Sequence, residues 1–142
     1  MSTFEPPSAD AYGKSLKGLG FSLLVSDVDA SVNFAAIVLG ATQFFKTDRF
    51  AAMKILSADF MFHHDDTYRH NPLHGFLAEG AGRGVGVELR CYGVDPDLAE
   101  AKARAHGFTV LAGSLDKPHG LRECIILDPD GYAWIPSIHL KN

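Results

Sequence analysis

Two cysteines in 142 residues, Cys91 and Cys124, are too few for a disulfide framework, and both sit inside strand-like apolar runs. They read as reduced core residues, since a buried thiol behaves as a small hydrophobe. Positive charge is equally scarce: the formal net charge is −4 and no basic stripe is present, which removes the electrostatic footprint that nucleic acid or an anionic membrane surface requires. No apolar run approaches the roughly 20 residues needed to span a bilayer. The opening stretch MSTFEPPSADAYGKS also lacks the basic start and apolar centre of a secretory signal. A cytoplasmic protein with no nucleic-acid or membrane partner is therefore expected.

What is there is ordinary globular composition, 46% hydrophobic and 21% charged, enough for one domain with its own core. Periodicity supplies the architecture. Leu19 to Val25 alternates, with Phe21, Leu23 and Val25 on one face and Ser22 on the other. Asp27 then reads as a helix cap, Val32, Ala35, Ala36 and Leu39 recur at helical spacing, and Gly40 is the stop. Three short strands follow: Thr42 to Lys46, Ala51 to Leu56 and Asp59 to His63.

The same order starts again at Val85. VGVELRCYG places Val87, Leu89 and Cys91 on one face and Glu88, Arg90 and Tyr92 on the other. Asp95 is a cap with Pro96 at the first helical position, and Gly107 ends the helix. Phe108 to Ala112, Glu123 to Leu127 and Tyr132 to His139 read as strands, with Asp128-Pro129-Asp130-Gly131 as a turn between the last two. Aligning Asp27 with Asp95 also aligns Asp29 with Asp97 and brings Gly40 within one residue of Gly107, the mark of a duplication. The fold class is α+β, with tandem βαβββ modules. Residues 1–17 read as a flexible tail and 18–142 as one domain, its modules 18–65 and 84–140 joined by the linker 66–83.

VSDVDASVNFAAIVLGA and GLRECIILDPDGYAWIP together resemble the opening strand-helix and the closing strand pair of the glyoxalase/bleomycin-resistance/dioxygenase (vicinal oxygen chelate) superfamily, nearest its bleomycin-resistance-like, metal-free members. The resemblance spans Gly18 to Leu140. It implies mixed sheets curved into a cup, helices packed outside, a small-molecule site within, and a homodimer. Ser22, Glu88, Arg90 and Tyr92, on the polar faces, would then line the cup.

The resemblance also implies four metal positions, on the first, fourth, fifth and last strands. Motif alignment puts them at Gly20, Met61, Glu88 and Ile135. A divalent ion needs about four to six donors, usually three or more of them from protein, and only Glu88 offers one. A shift of one residue substitutes Phe60 or Phe62 for Met61, and Trp134 or Pro136 for Ile135, and adds no donor. The run FMFHHDDTYRHNPLH gathers His63, His64, Asp65, Asp66, His70 and His74, residue types that suit zinc, nickel or iron. Its spacing matches no closed metal motif, and the plainer reading is a solvated linker at the cup mouth.

Glu88 can serve a cationic or hydroxyl-bearing ligand, or act as a base if desolvated; alternatively it forms an ion pair with Arg90, two residues on. Tyr92 can stack on a planar ligand, whereas Trp134 is expected beneath the second helix. His119 stands where bleomycin-resistance-like relatives often have Trp-Gly before the Arg-Glu pair, here Arg122-Glu123. Ser22, Ser114 and Ser137 have no neighbouring base to make them nucleophiles. The expectation is a binding protein without metal or other cofactor, which holds a planar or cationic ligand through Ser22, His63, Glu88, Arg90 and Tyr92. The alternative is a metal-dependent lyase, isomerase or dioxygenase with a non-standard ligand set drawn from Glu88, His63 and the linker histidines, or an enzyme using Glu88 alone as base.

Overall fold

The computed structural model describes residues 9–77 and 82–141. Within them the duplication is explicit. The first unit runs β1 (Phe21–Val25), α2 (Val28–Leu39), β2 (Thr42–Lys46), β3 (Phe50–Ile55) and β4 (Ala58–His64), preceded by a short helix α1 (Ala9–Ser15). The second runs β5 (Glu88–Tyr92), α3 (Pro96–Ala105), β6 (Thr109–Asp116), β7 (Leu121–Leu127) and β8 (Ala133–His139). Each forms a four-stranded mixed sheet of the same order, β1-β4-β3-β2 and β5-β8-β7-β6, with the first strand parallel to the last and the rest antiparallel.

Local chemistry sets the helices. The Asp27 carboxylate accepts from Ala30 N–H at 3.1 Å, so α2 begins at Val28, directly after the cap expected from the sequence. At its other end Gly40 takes φ 68°, and its N–H reaches the Ala35 carbonyl. Asp95 caps α3 by accepting from the N–H groups of Asp97 and Leu98, with Pro96 in the first turn.

Helices α2 and α3 lie on the same side and pack on each other. The sheet faces beneath them share one core, in which Val25, Phe34, Met53, Phe60 and Phe62 of the first unit join Cys91, Cys124, Ile126 and Trp134 of the second. Trp134 is not confined to the space beneath α3. Its ring centroid stands 6.1 Å from Phe21 and 5.7 Å from Phe60, so the indole joins the two units. Across the same seam the Leu24 carbonyl accepts from Arg83 Nη1 at 2.8 Å and from the Tyr132 hydroxyl at 2.9 Å. The Ser26 hydroxyl donates to Asp130 at 2.7 Å. Both cysteines are free and buried, and desolvation pushes their thiols up to about 12 and about 11. They are protonated and inert at neutral pH.

Three expectations change. The strand expected from Val85 begins at Glu88 instead, because Gly84 and Gly86 turn the chain at φ 66° and 90°; Val87 stands outside the ladder and is 56% exposed rather than sharing a face with Leu89 and Cys91. Part of the expected tail is helical: α1 docks through Tyr12, whose ring centroid is 5.4 Å from Phe44 and 6.4 Å from Phe50. Finally, the linker carries two 3₁₀ turns, Asp65–Tyr68 and Pro72–Phe76.

Candidate functional site

Strand alternation puts Glu88, Arg90 and Tyr92 on the face of the second sheet turned away from α3. Register fills in the rest. Arg90 pairs with Ile135 and Tyr92 with Ser137 across β5–β8, and Ser137 pairs with Glu123 across β7–β8. These side chains therefore share one face, and on it charges are linked. Arg90 Nη1 donates to Glu123 Oε2 at 2.8 Å, Arg90 Nη2 lies 3.5 Å from Glu88 Oε2, and His119 Nε2 lies 3.7 Å from Glu123 Oε2. Both readings of Glu88 bear on this arrangement: it does pair with Arg90, but at the longer distance, while Glu123 takes the direct hydrogen bond.

Burial separates the two carboxylates. Glu123 is 7% exposed, and its hydrogen bond from Arg90 holds it below the usual carboxylate range against the opposing effect of desolvation. The same bond raises Arg90 further above neutrality. Glu88 and Tyr92 are the open members, Tyr92 at 54% exposure. Ser137 is fully buried, and its hydroxyl has no hydrogen-bond partner among the described residues. A buried polar group left without a partner costs about 1–3 kcal/mol.

Sequence reasoning misses Glu123 and Ser137 as site residues. Glu123 alternates with the core residue Cys124 just as Glu88 does with Leu89, so its facing is readable from β7 alone. Arg122, its neighbour, points the other way and binds Asp97 of α3 and Asp116, each at 2.9 Å. Ser137 gives no comparable signal, because its burial depends on the pairing of β8 with both β5 and β7.

Beside this face, at the seam, lies a cavity of about 280 Å³ bordered by Phe21, Leu56, Glu88, Arg90, Tyr92 and Trp134. It is near the lower bound of small-molecule sites, roughly 300 Å³.

The remaining sequence candidates belong to the first sheet. Ser22 is exposed and lies beside Met61. His63 stands apart from the Arg90 network, its ring 4.9 Å from Phe50 and 5.4 Å from Tyr68. Burial pushes its pKa down, so the imidazole is neutral at pH 7.

The donor set does not suit a metal. Gly20, Met61 and Ile135 carry no oxygen or imidazole, and Glu88 faces Arg90. In the His-rich run, His64 Nδ1 accepts from Asp66 N–H, and Asp65 makes a two-pronged ion pair with Arg83 at 2.7 Å. Among the described residues no three His, Cys, Asp or Glu side chains converge to hold an ion. Nor is any helix among them long and apolar enough to cross a membrane.

Comparison with known proteins agrees with this architecture. The sequence profile of the glyoxalase/bleomycin resistance protein/dioxygenase superfamily matches residues 19–135. No curated protein matches the chain. Among solved structures, a glyoxalase/bleomycin resistance protein/dioxygenase from Nocardioides is 23% identical, with 96% of this chain and 95% of that one covered and a TM-score of 0.65. TioX from Micromonospora sp. ML1 is 22% identical over 87% of this chain and 99% of its own, with a TM-score of 0.64. A family enzyme from Burkholderia phytofirmans PsJN is 15% identical over 85% and 97%, with a TM-score of 0.71. At these identities the likeness is one of fold.

Proposed function

Because the chain belongs to the glyoxalase/bleomycin resistance protein/dioxygenase superfamily, we propose that it is a metal-free binding protein, one that holds a planar, cationic small molecule against the face of the second sheet turned away from α3. The observation that carries this reading is the charge balance of that face. Glu88 and Glu123 share one arginine, so these three side chains together retain a net negative charge. Glu123 is committed to Arg90, and Glu88 is the carboxylate left open to solvent. A cation beside Glu88 would complete the balance, and the exposed Tyr92 ring offers it a stacking and cation–π surface. The single donor among the four metal positions argues for binding over metal-dependent catalysis.

The same reading includes a homodimer working in the cytoplasm. Exposed apolar side chains at Leu73, Phe76, Val85 and Val87, in the linker and leading into β5, support pairing of chains; the free, buried thiols suit a reducing compartment.

Fluorescence titration of untagged protein with ethidium, a planar cation, tests the proposal. Saturable binding is expected, weakened about tenfold by Glu88→Gln and again by Tyr92→Ala, each step equivalent to about 1.4 kcal/mol. A stoichiometric divalent ion in protein purified without chelator, lost on Glu88→Ala, would replace this reading with a metal-dependent enzyme.

A further inference from the structure

One tight connection in the fold carries a residue that its geometry disfavours. Ile55 pairs with Ala58 across β3–β4, so only Leu56 and Ser57 join the two strands. Two-residue hairpins favour glycine, asparagine or aspartate wherever φ is positive. Leu56 takes φ 54°, and among the described residues it is the one other than glycine at positive φ. For a bulky side chain that backbone is strained, and such strain persists only where the surroundings impose it.

Packing alone accounts for little of it. Leu56 reaches across the seam to the second unit, where its two δ carbons lie 3.4 and 3.7 Å from the place a Cβ would take on Gly93, the residue after β5. The side chain nevertheless stays 56% exposed, close to the 54% of Tyr92 beside that glycine. What Leu56 does border is the cavity of about 280 Å³ between the units. Phe21, Ile55, Leu56 and Trp134 give this space its apolar lining, and Glu88 and Tyr92 join it to the charged face of the second sheet. An apolar cavity of about 150 Å³ is enough for benzene, so there is room here for one aryl ring and the atom that ties it to a larger ligand.

We propose that Leu56 determines specificity at the site on the second sheet: the strained turn holds its side chain as a wall of the seam cavity, which takes a single apolar ring borne by a planar cation lying on Tyr92 beside Glu88. The inference rests on the binding reading given above and narrows its ligand class from planar cations to those with an aryl arm. Leu56 acts by shape. With the leucine in place, the arm leaves water on entering the cavity; with glycine there, the cavity opens at the seam and the arm stays wet. The two units thus divide recognition, the second supplying charge and a stacking ring, the first a wall that measures the arm.

The test is calorimetric titration of the full chain with 1-methylquinolinium and 1-benzylquinolinium, which share a ring and a charge and differ only in the arm. The unaltered chain should bind the benzyl compound about tenfold more tightly, since part of one ring is buried. Leu56→Gly should reduce that preference to less than about twofold while leaving the affinity for the methyl compound unchanged. Its Tm should not fall, because glycine adopts this backbone without steric cost. Leu56→Phe, which keeps the contact across the seam and overfills the cavity, should reverse the order, so that the methyl compound binds more tightly. A benzyl preference below about twofold in the unaltered chain, one that survives Leu56→Gly, or one that Leu56→Phe leaves unchanged would each overturn the proposal; a preference that survives while the Tm of Leu56→Gly drops would make Leu56 a strut between the units. If the methyl compound binds and Glu88→Gln weakens it, yet the benzyl arm adds nothing, this inference fails and the reading of the charged face stands. If neither compound binds, both fail.

Discussion

Trp134→Ala should destabilise the protein by about 3–5 kcal/mol, the range for deleting a large buried aromatic. A domain of this size has only about 5–15 kcal/mol in total. Trp134 is 1% exposed, and its indole fills the space between the two units, against Phe21 and Phe60. The loss is more than volume. Indole Nε1 donates to Asp128 Oδ2 at 3.1 Å, while the other carboxylate oxygen accepts from the N–H groups of Asp130 and Tyr132, both at 3.0 Å, and so holds the turn between β7 and β8. Burial already pushes the Asp128 pKa up, with these hydrogen bonds opposing it; alanine at 134 removes one of them. Thermal unfolding followed by circular dichroism, since the only tryptophan is gone, should show Tm lower by about 10–20 °C. Trp134→Phe, which keeps a ring but not the donor, should fall between. A loss under about 1 kcal/mol would mean that the units do not depend on a common core.

The architecture was legible because its signals are local. Asp27 and Asp95 announce their helices by chemistry that acts within three residues, Gly40 ends one by a backbone angle that glycine adopts without steric penalty, and alternation assigns faces two residues at a time. The errors fall where local signals compete or end. Val85 and Val87 alternate correctly with Leu89, yet Gly84 and Gly86 bend the chain before the ladder can include them. Helix α1 is invisible to sequence reasoning because what positions it is not in its own seven residues. Tyr12 docks on Phe44 and Phe50, more than thirty positions away, and tertiary contact of that kind leaves no periodic trace.

The candidate site divides the same way. Glu88, Arg90 and Tyr92 could be placed together from one strand. Glu123 and Ser137 join them only through the pairing of β8 between β5 and β7, and register is a property of the sheet rather than of any strand. His63 shows the converse. Its residue type suggests a metal or a ligand, but Phe50 lies opposite it in the ladder and Tyr68 follows in the next turn, so its surroundings are aromatic.

Glu123→Gln isolates the contribution of the charged face and carries a pH signature. Arg90 holds the Glu123 pKa below its ordinary value, so the folded state binds this proton less readily than the unfolded chain does. The group therefore stabilises the fold at pH values above the unfolded carboxyl pKa, about 4.3, and that contribution drains away as pH falls through the lower folded value. At pH 7 the substitution should cost about 1.5 kcal/mol, the lower end for a hydrogen bond to a charged partner, because Glu88 remains 3.5 Å from the guanidinium. The difference in unfolding free energy between the unaltered chain and the variant should shrink as denaturant titrations move from pH 7 toward pH 3. Arg90 cannot compensate by losing its charge, since its own pKa is raised. A difference constant with pH would show that Glu123 acts by shape and hydrogen bonding alone. One that widens in acid would show that Arg90 does not stabilise the ionised carboxylate. If the stability difference behaves as expected while ethidium binding is unchanged, the pair is structural, and the ligand must be recognised by Glu88 and Tyr92 without it.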